Sequence, residues 1–270
     1  DGYKVEDFQK AIKLNTKIIH IETPSNPTLT ITDIEGIANL AKERNIITTI
    51  DNTFASPVNQ NPIDLGIDLV MHSATKYLGG HSDILAGAVA GSKEHIEQLW
   101  HSAINYGGSL SDMMVWLLER SIKTLGLRVN KQNENAVELA QYLESNPNVE
   151  RVYYPGLESH PENNLAKKQM SGFGGMMSFE LKSDIDSSIF LQSLELIKPS
   201  MSLAGVESTM LAPHLTSHAL LTQEERDKLN IKDGLIRFSV GIESVEDLKA
   251  DIEEALQKVS KGLKQVEIER

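Results

Sequence analysis

What most constrains the fold is the alternation of short apolar runs with a helical segment near the start of the chain. The run 18-IIHIE-22 is followed by 32-TDIEGIANLAKERN-45, where Thr32 or Asp33 can cap and Ile34, Ile37, Ala38 and Ala41 recur at helical spacing. Next, 46-IITTID-51 is rich in β-branched residues and ends on an acid. The runs 69-LVMHSA-74 and 86-AGAVAG-91 are short enough for strands buried on both faces. Strand and helix in alternation, with buried runs of this kind, imply an α/β fold with a mostly parallel sheet.

From about Ser111 the pattern changes. The segments 111-SDMMVWLLERSIKTL-125 and 130-NKQNENAVELAQYLESN-146 read as successive helices, the second stopped by Pro147, and a domain junction falls between 125 and 130. We therefore expect the C-terminal portion of one domain over 1–127 and a smaller α+β domain over 128–270. The second would hold strands at 149-VERVYY-154, 175-GMMSFEL-181 and 235-LIRFSVGI-242, then a final helix opening on the capping-box spacing of 244-SVED-247. In that helix Val245, Leu248, Ile252, Leu256, Val259 and Leu263 form one apolar stripe, as expected of a helix packed on a sheet.

Composition narrows the function. A chain of 270 residues with 40% hydrophobic content can bury a sizeable core. Its net charge of -12, with basic residues scattered among acids, argues against a nucleic-acid partner and leaves small-molecule chemistry. The absence of cysteine excludes disulfides, a thiolate nucleophile and a thiolate metal site, and suits a cytoplasmic setting. No apolar run approaches the roughly 20 residues that span a bilayer, so no membrane partner is expected, and DGYKVEDFQK lacks the layout of a signal peptide.

The residues that can carry chemistry sit at strand ends. In an open parallel sheet, ligands gather outside the carboxyl ends of the strands, and Asp51 ends one expected strand while Lys76 follows the next, in 72-HSATKYLGGHSD-83. A single Asp and Lys would ordinarily mean a surface salt bridge. Around Lys76, however, Ser73 and Thr75 would alternate on one side if the chain is extended, and their hydroxyls with nearby N–H groups could hold an anion. Gly79 and Gly80 let the backbone turn where a side chain would clash. An amine, an anion cradle and a strand-end carboxylate together meet the needs of pyridoxal phosphate.

With 22-ETPSNPTL-29, 51-DNTF-54, 155-PGLESHP-161, 202-SLAGVES-208 and 235-LIRFSVGIE-243 added, the chain resembles the Cys/Met-metabolism family of pyridoxal-phosphate enzymes along essentially its whole length. That resemblance implies fold-type I, aspartate-aminotransferase-like, with Lys76 carrying the cofactor and moving protons. It implies Asp51 on the pyridine nitrogen, Ser73 and Thr75 on the phosphate, and Asn26 near the phenolic oxygen. Asn26 also reads as a turn residue in 24-PSNP-27. Arg237 would clamp the substrate α-carboxylate, a role that suits a guanidinium fork, with Ser202 beside it. Alternation places Leu235, Arg237 and Ser239 on one strand face. The resemblance also implies a homotetramer and a longer chain, with a preceding segment that completes the cofactor site. Met201 stands where cystathionine-handling relatives often carry glutamate, which favours an apolar leaving group.

Other signals point to less. His214 and His218 in 213-PHLTSH-218 have a metal-pair spacing but no acidic third ligand nearby, so a loop or supporting role is expected and no metal. Gly87 and Gly91 read as glycines packed in a buried strand, and 222-TQEERDK-228 as a solvated helix face. The expected activity is elimination or replacement at the β or γ carbon of a sulfur amino acid or an activated homoserine. One rival is an aldolase-type lysine without pyridoxal; another is a non-catalytic protein, or inactive fragment, on the same fold.

Overall fold

The computed structural model describes residues 3–268, with side chains described through Val259. The chain divides into two compact units: Asp1–Asn26, Thr30–Val129 and Pro161–Gly174 form the first, and Pro27–Leu29, Asn130–His160 and Gly175–Arg270 the second. Side-chain bonds explain why these are not simple halves of the chain. In the first unit Ser171 Oγ donates to Val58 O at 3.1 Å and Lys168 pairs with Glu35 at 2.8 Å. In the second, Ser178 Oγ donates to Pro27 O at 2.7 Å.

The first unit holds a four-stranded sheet in sequential order: β1 Ile18–Glu22, β2 Ile47–Asp51, β3 Leu69–Ser73 and β4 Gly87–Gly91. β1, β2 and β3 run parallel; β4 turns back antiparallel along β3. The helix Ile34–Lys42 starts on Asp33, whose carboxylate accepts from Gly36 N–H, and it buries Ile34, Ile37, Ala38 and Ala41 with Ile19, Ile21, Ile50 and Val70 of the sheet. Each fully buried isoleucine or valine there contributes about 1.5–3 kcal/mol.

The expectation that β3 and β4 are buried on both faces is not met. Ile18, Ile47, Met71 and Val89 are all at least 36% exposed, so this sheet has one covered face and one open face. β4 is an edge strand, mostly exposed, and Gly87 is not packed. Gly91 is a different case, because a Cβ there would lie 2.7 Å from the Asp68 carbonyl oxygen. The helix Lys93–Tyr106 follows, with no buried residue and no sequence signal strong enough to have marked it.

The second unit holds a five-stranded sheet in the order β5 Val149–Tyr153, β6 Met176–Leu181, β9 Leu235–Ser239, β8 Thr209–Leu211, β7 Lys198–Pro199. Its pairs are antiparallel except β7 with β8. Every residue of β6, β8 and β9 is buried. The closing helix Val245–Ile268 buries Leu248, Ile252, Leu256 and Val259; Leu263 lies outside the described side chains. Asp251 of that helix accepts from the N–H groups of Glu195, Leu196 and Ile197 at 2.7, 3.1 and 2.8 Å. Among the described residues no helix is long and apolar enough to cross a membrane.

Candidate active site

Because β1, β2 and β3 are parallel, their carboxyl ends meet at one edge of the first sheet. The register sets Glu22 beside Asp51 and Asp51 beside Met71, so the two acids are neighbours. Desolvation first, and the Asp51 charge second, raise the Glu22 pKa above the ordinary carboxylate value, opposed by the N–H of Asn26. Asn26 itself is exposed in the turn that follows β1. Burial lowers the His72 imidazole below its usual value, and Asp51 works against that shift.

Asp51 is held from one side. Its Oδ1 accepts from Thr53 N–H at 2.9 Å, while Thr53 Oγ1 accepts from Ser73 N–H at 2.8 Å. Thr53 thus ties the loop after β2 to the end of β3, a role with no sequence signal beyond its place in 51-DNTF-54. Among the described residues no other hydrogen bond reaches the Asp51 carboxylate, so its second oxygen is available to a ring N–H. That geometry fits a pyridoxal phosphate whose nitrogen must stay protonated.

After Ser73 the chain turns instead of remaining extended, so the strand-like alternation of Ser73 and Thr75 is lost. Lys76 N–H donates to Ser73 O at 3.0 Å, Gly79 N–H to Ala74 O at 2.8 Å and Gly80 N–H to Lys76 O at 2.7 Å. Lys76, half-buried, is therefore mounted on a wound turn. The Ser73 hydroxyl makes no hydrogen bond among the described residues and could take a phosphate oxygen. Thr75 Oγ1 is engaged with Ala86, accepting from its N–H at 3.0 Å and donating to its carbonyl at 3.3 Å. Its hydroxyl proton must leave that long bond to serve an anion.

The glycine pair closes the turn for two different reasons. A Cβ at Gly79 would meet Ile84 at 2.7 Å and the Ala74 carbonyl at 2.9 Å. Gly80 has φ +70°, and a Cβ there would fall 1.9 Å from Nη1 of Arg128. Arg128 lay at the expected domain junction and carried no sequence signal.

In the second unit Arg237 occupies the middle of β9, opposite Ser178 and Leu211, and is only 5% exposed. Burial lowers its pKa to about 10, which leaves it charged at neutral pH. Its Nη2 donates to Met201 O at 3.0 Å, so the guanidinium is fixed against the loop that carries Ser202. Ser202 N–H donates to Ser200 Oγ at 3.1 Å, and its carbonyl accepts from Thr209 Oγ1 at 3.0 Å.

The same loop has a left-handed residue without glycine: Ala204, φ 62°, whose N–H donates to Ser239 Oγ at 2.6 Å. Gln132 Nε2 donates to Gly205 O at 2.8 Å and to Val240 O at 3.1 Å. Glu243 accepts from Ser208 N–H at 2.6 Å and from Ser208 Oγ at 2.9 Å. Of these supports, only Ser239 was placed beside Arg237 by the alternation of the strand. His218 lies within electrostatic reach of Arg237, its pKa lowered by burial first and that charge second. Among the described residues no group of three potential ligands could hold a metal.

The α/β fold is that of fold-type I pyridoxal-phosphate enzymes. The solved cystathionine gamma-lyase from Lactobacillus plantarum, complexed with L-serine, superposes with a TM-score of 0.94 at 42% identity, covering 96% of this chain and 68% of that one. The chain belongs to the Cys/Met metabolism PLP-dependent enzyme family, whose model matches residues 1–257. It is 48% identical over 259 residues to the cystathionine beta-lyase of Lactococcus lactis subsp. cremoris, covering 96% of this chain and 68% of that protein. It is also 48% identical over 255 residues to the cystathionine gamma-lyase of Bacillus subtilis, covering 94% and 67%. Pyridoxal 5'-phosphate is accordingly its cofactor.

Proposed function

We propose that this chain is a C–S lyase acting on sulfur amino acids, with γ-replacement on an activated homoserine available to the same residues. The observation that carries the reading is the adjacency of β2 and β3, which puts the half-satisfied Asp51 carboxylate and the Lys76 turn at one sheet edge. Bound pyridoxal phosphate supplies an electron sink for negative charge at the substrate α carbon. Asp51 keeps the ring nitrogen protonated, and Ser73, with Thr75 once its hydroxyl is redirected, takes the phosphate. Lys76 would hold the cofactor, and its Nζ would accept the α proton and return a proton to the leaving side.

Arg237 and Ser202 take the substrate carboxylate, and Asn26 lies toward the phenolic oxygen. Elimination with water then yields a 2-oxo acid, ammonia and a thiol. Met201, 63% exposed, offers a neutral thioether where a second ammonium would call for an acid, which favours methionine-like substrates over cystathionine. The reading includes a cytoplasmic homotetramer, supported by the absence of cysteine and by the exposed Trp100, Ile104 and Trp116 of the first unit. Thiol and 2-oxo acid release should be assayed with methionine, cystathionine, cysteine and O-acyl homoserines, alongside native mass. Release from at least one of these is expected, and a protein that takes up pyridoxal phosphate yet turns over none of them overturns the reading.

A further inference from the structure

Arg128 is an unusual guanidinium. It is only 5% exposed, and among the described residues no carboxylate pairs with it. Its three hydrogen bonds all go to neutral acceptors: Nη1 to Tyr77 O at 2.9 Å, Nη2 to Ser121 O at 3.0 Å and Nε to Thr124 Oγ1 at 3.1 Å. A buried cation without a counter-ion is costly, so dipoles must offset it. Ser121 belongs to the last turn of the helix Asp112–Ile122, whose negative end favours a cation. The other main-chain acceptor, Tyr77 O, follows Lys76 directly.

The fit around the guanidinium is equally specific. Gly80, left-handed at φ +70°, leaves a space that its own Cβ would fill at 1.9 Å from Nη1. Tyr77 is 2% exposed and Gly80 N–H donates to Lys76 O, so the segment that Arg128 touches is the segment that orients the lysine. A packing residue alone would not need a charge here, because an apolar side chain of like size would fill the same volume without the desolvation cost.

We infer that Arg128 is a positioning residue for Lys76: its charged fork joins the C-terminal end of the helix Asp112–Ile122 to the Tyr77 carbonyl and so fixes the turn on which the amine is mounted. This rests on the reading of Lys76 as the cofactor's anchor. Arg128 does not touch the reacting atoms. It sets where Lys76 Nζ sits and how readily that amine changes protonation.

The test compares the holoenzyme with R128M, which keeps bulk and loses the fork, and with R128K, which keeps the charge on a single nitrogen without the fork. In R128M, kcat should fall roughly tenfold or more, the size expected from losing hydrogen bonds to a charged group, with KM changed less than about threefold. The pH midpoint of the cofactor's visible absorbance should move, and R128K should recover part of both effects. In cofactor-free protein, amide exchange over 74–80 should quicken by about tenfold in R128M while the rest of the first unit keeps its rates.

Unchanged exchange over 74–80, or an unmoved absorbance midpoint with kcat following only the folded fraction, overturns the inference. If R128M does not fold, R128K and T124V, which removes the Nε acceptor, decide by the same readouts. Borohydride reduction and peptide mass separate the two failures. An adduct away from Lys76 defeats the reading of the anchor, whereas an adduct on Lys76 with unaltered exchange defeats only the role of Arg128.

Discussion

The Lys76 turn and the Met201–Ser208 loop are both held by buried polar side chains gripping backbone carbonyls, but they are held differently. In the first unit one ion, Arg128, spans Tyr77 O and a helix end. In the second, the neutral Gln132 shares its loop with Ser239, Glu243 and Thr209. A single charged strut fixes one amine closely and fails all at once. A network distributed over several side chains holds its loop in shape and loses it by degrees. The contrast fits the roles proposed for them, a turn that presents a proton-transferring group and a loop that recognises a carboxylate.

Five substitutions, the last read through an acid titration, would break or sharpen that contrast. K76A should cost the most, at least about 10³-fold in kcat, because on the proposed reading it removes both anchor and proton carrier; steady-state elimination assays with saturating cofactor would show it. D51N should lower kcat on the order of 10²-fold, about 2.7 kcal/mol of lost stabilisation, without displacing the carboxylate's Thr53 partner. R237M should act on the other side of the comparison: a roughly 10- to 100-fold loss in kcat/KM, mostly in KM, as hydrogen bonds to a charged group are removed.

Q132A should be milder, about 1–3 kcal/mol of stability with a small rise in KM, since Ser239 and Glu243 still hold the loop. Urea unfolding and a KM measurement would separate the two. A fall in kcat as large as that of D51N would show that the network is not distributed.

The last effect is confined to acid and vanishes at neutral pH. Desolvation lowers the pKa of His160 to about 4, opposed by its bond to the Leu29 backbone. A folded pKa below the unfolded value of about 6.5 means that the unfolded state binds the extra proton first. Stability from this group is therefore intact above about 6.5 and declines as pH falls toward about 4, by up to about 3 kcal/mol. H160N should flatten that slope in acid-unfolding curves.

The elements that sequence resolves well are those whose packing follows a period. β1, β2, β3 and the helix Ile34–Lys42 lie where β-branched runs and helical spacing put them, which is why Asp51 and Lys76 were legible as strand-end residues. The run 86-AGAVAG-91 misled because small apolar residues suit a buried strand and a plain edge equally; the antiparallel return of β4 depends on pairing, which composition does not encode. Thr53, Gln132 and Arg128 were silent for another reason. Each acts on a carbonyl or an N–H group far along the chain, and nothing in the neighbouring letters marks a side chain that binds backbone.

The contact between Gly80 and Arg128 has a further consequence, for how this chain can vary. The two positions share one small volume, so neither is free to change alone: a methyl at 80 displaces the guanidinium, and a shorter residue at 128 opens room for one. A library that randomises 80 and 128 together should return matched pairs, with glycine kept wherever the arginine is kept. The lysine turn is vulnerable to a single change at either site, so drift at this place in the fold must pass through two linked substitutions.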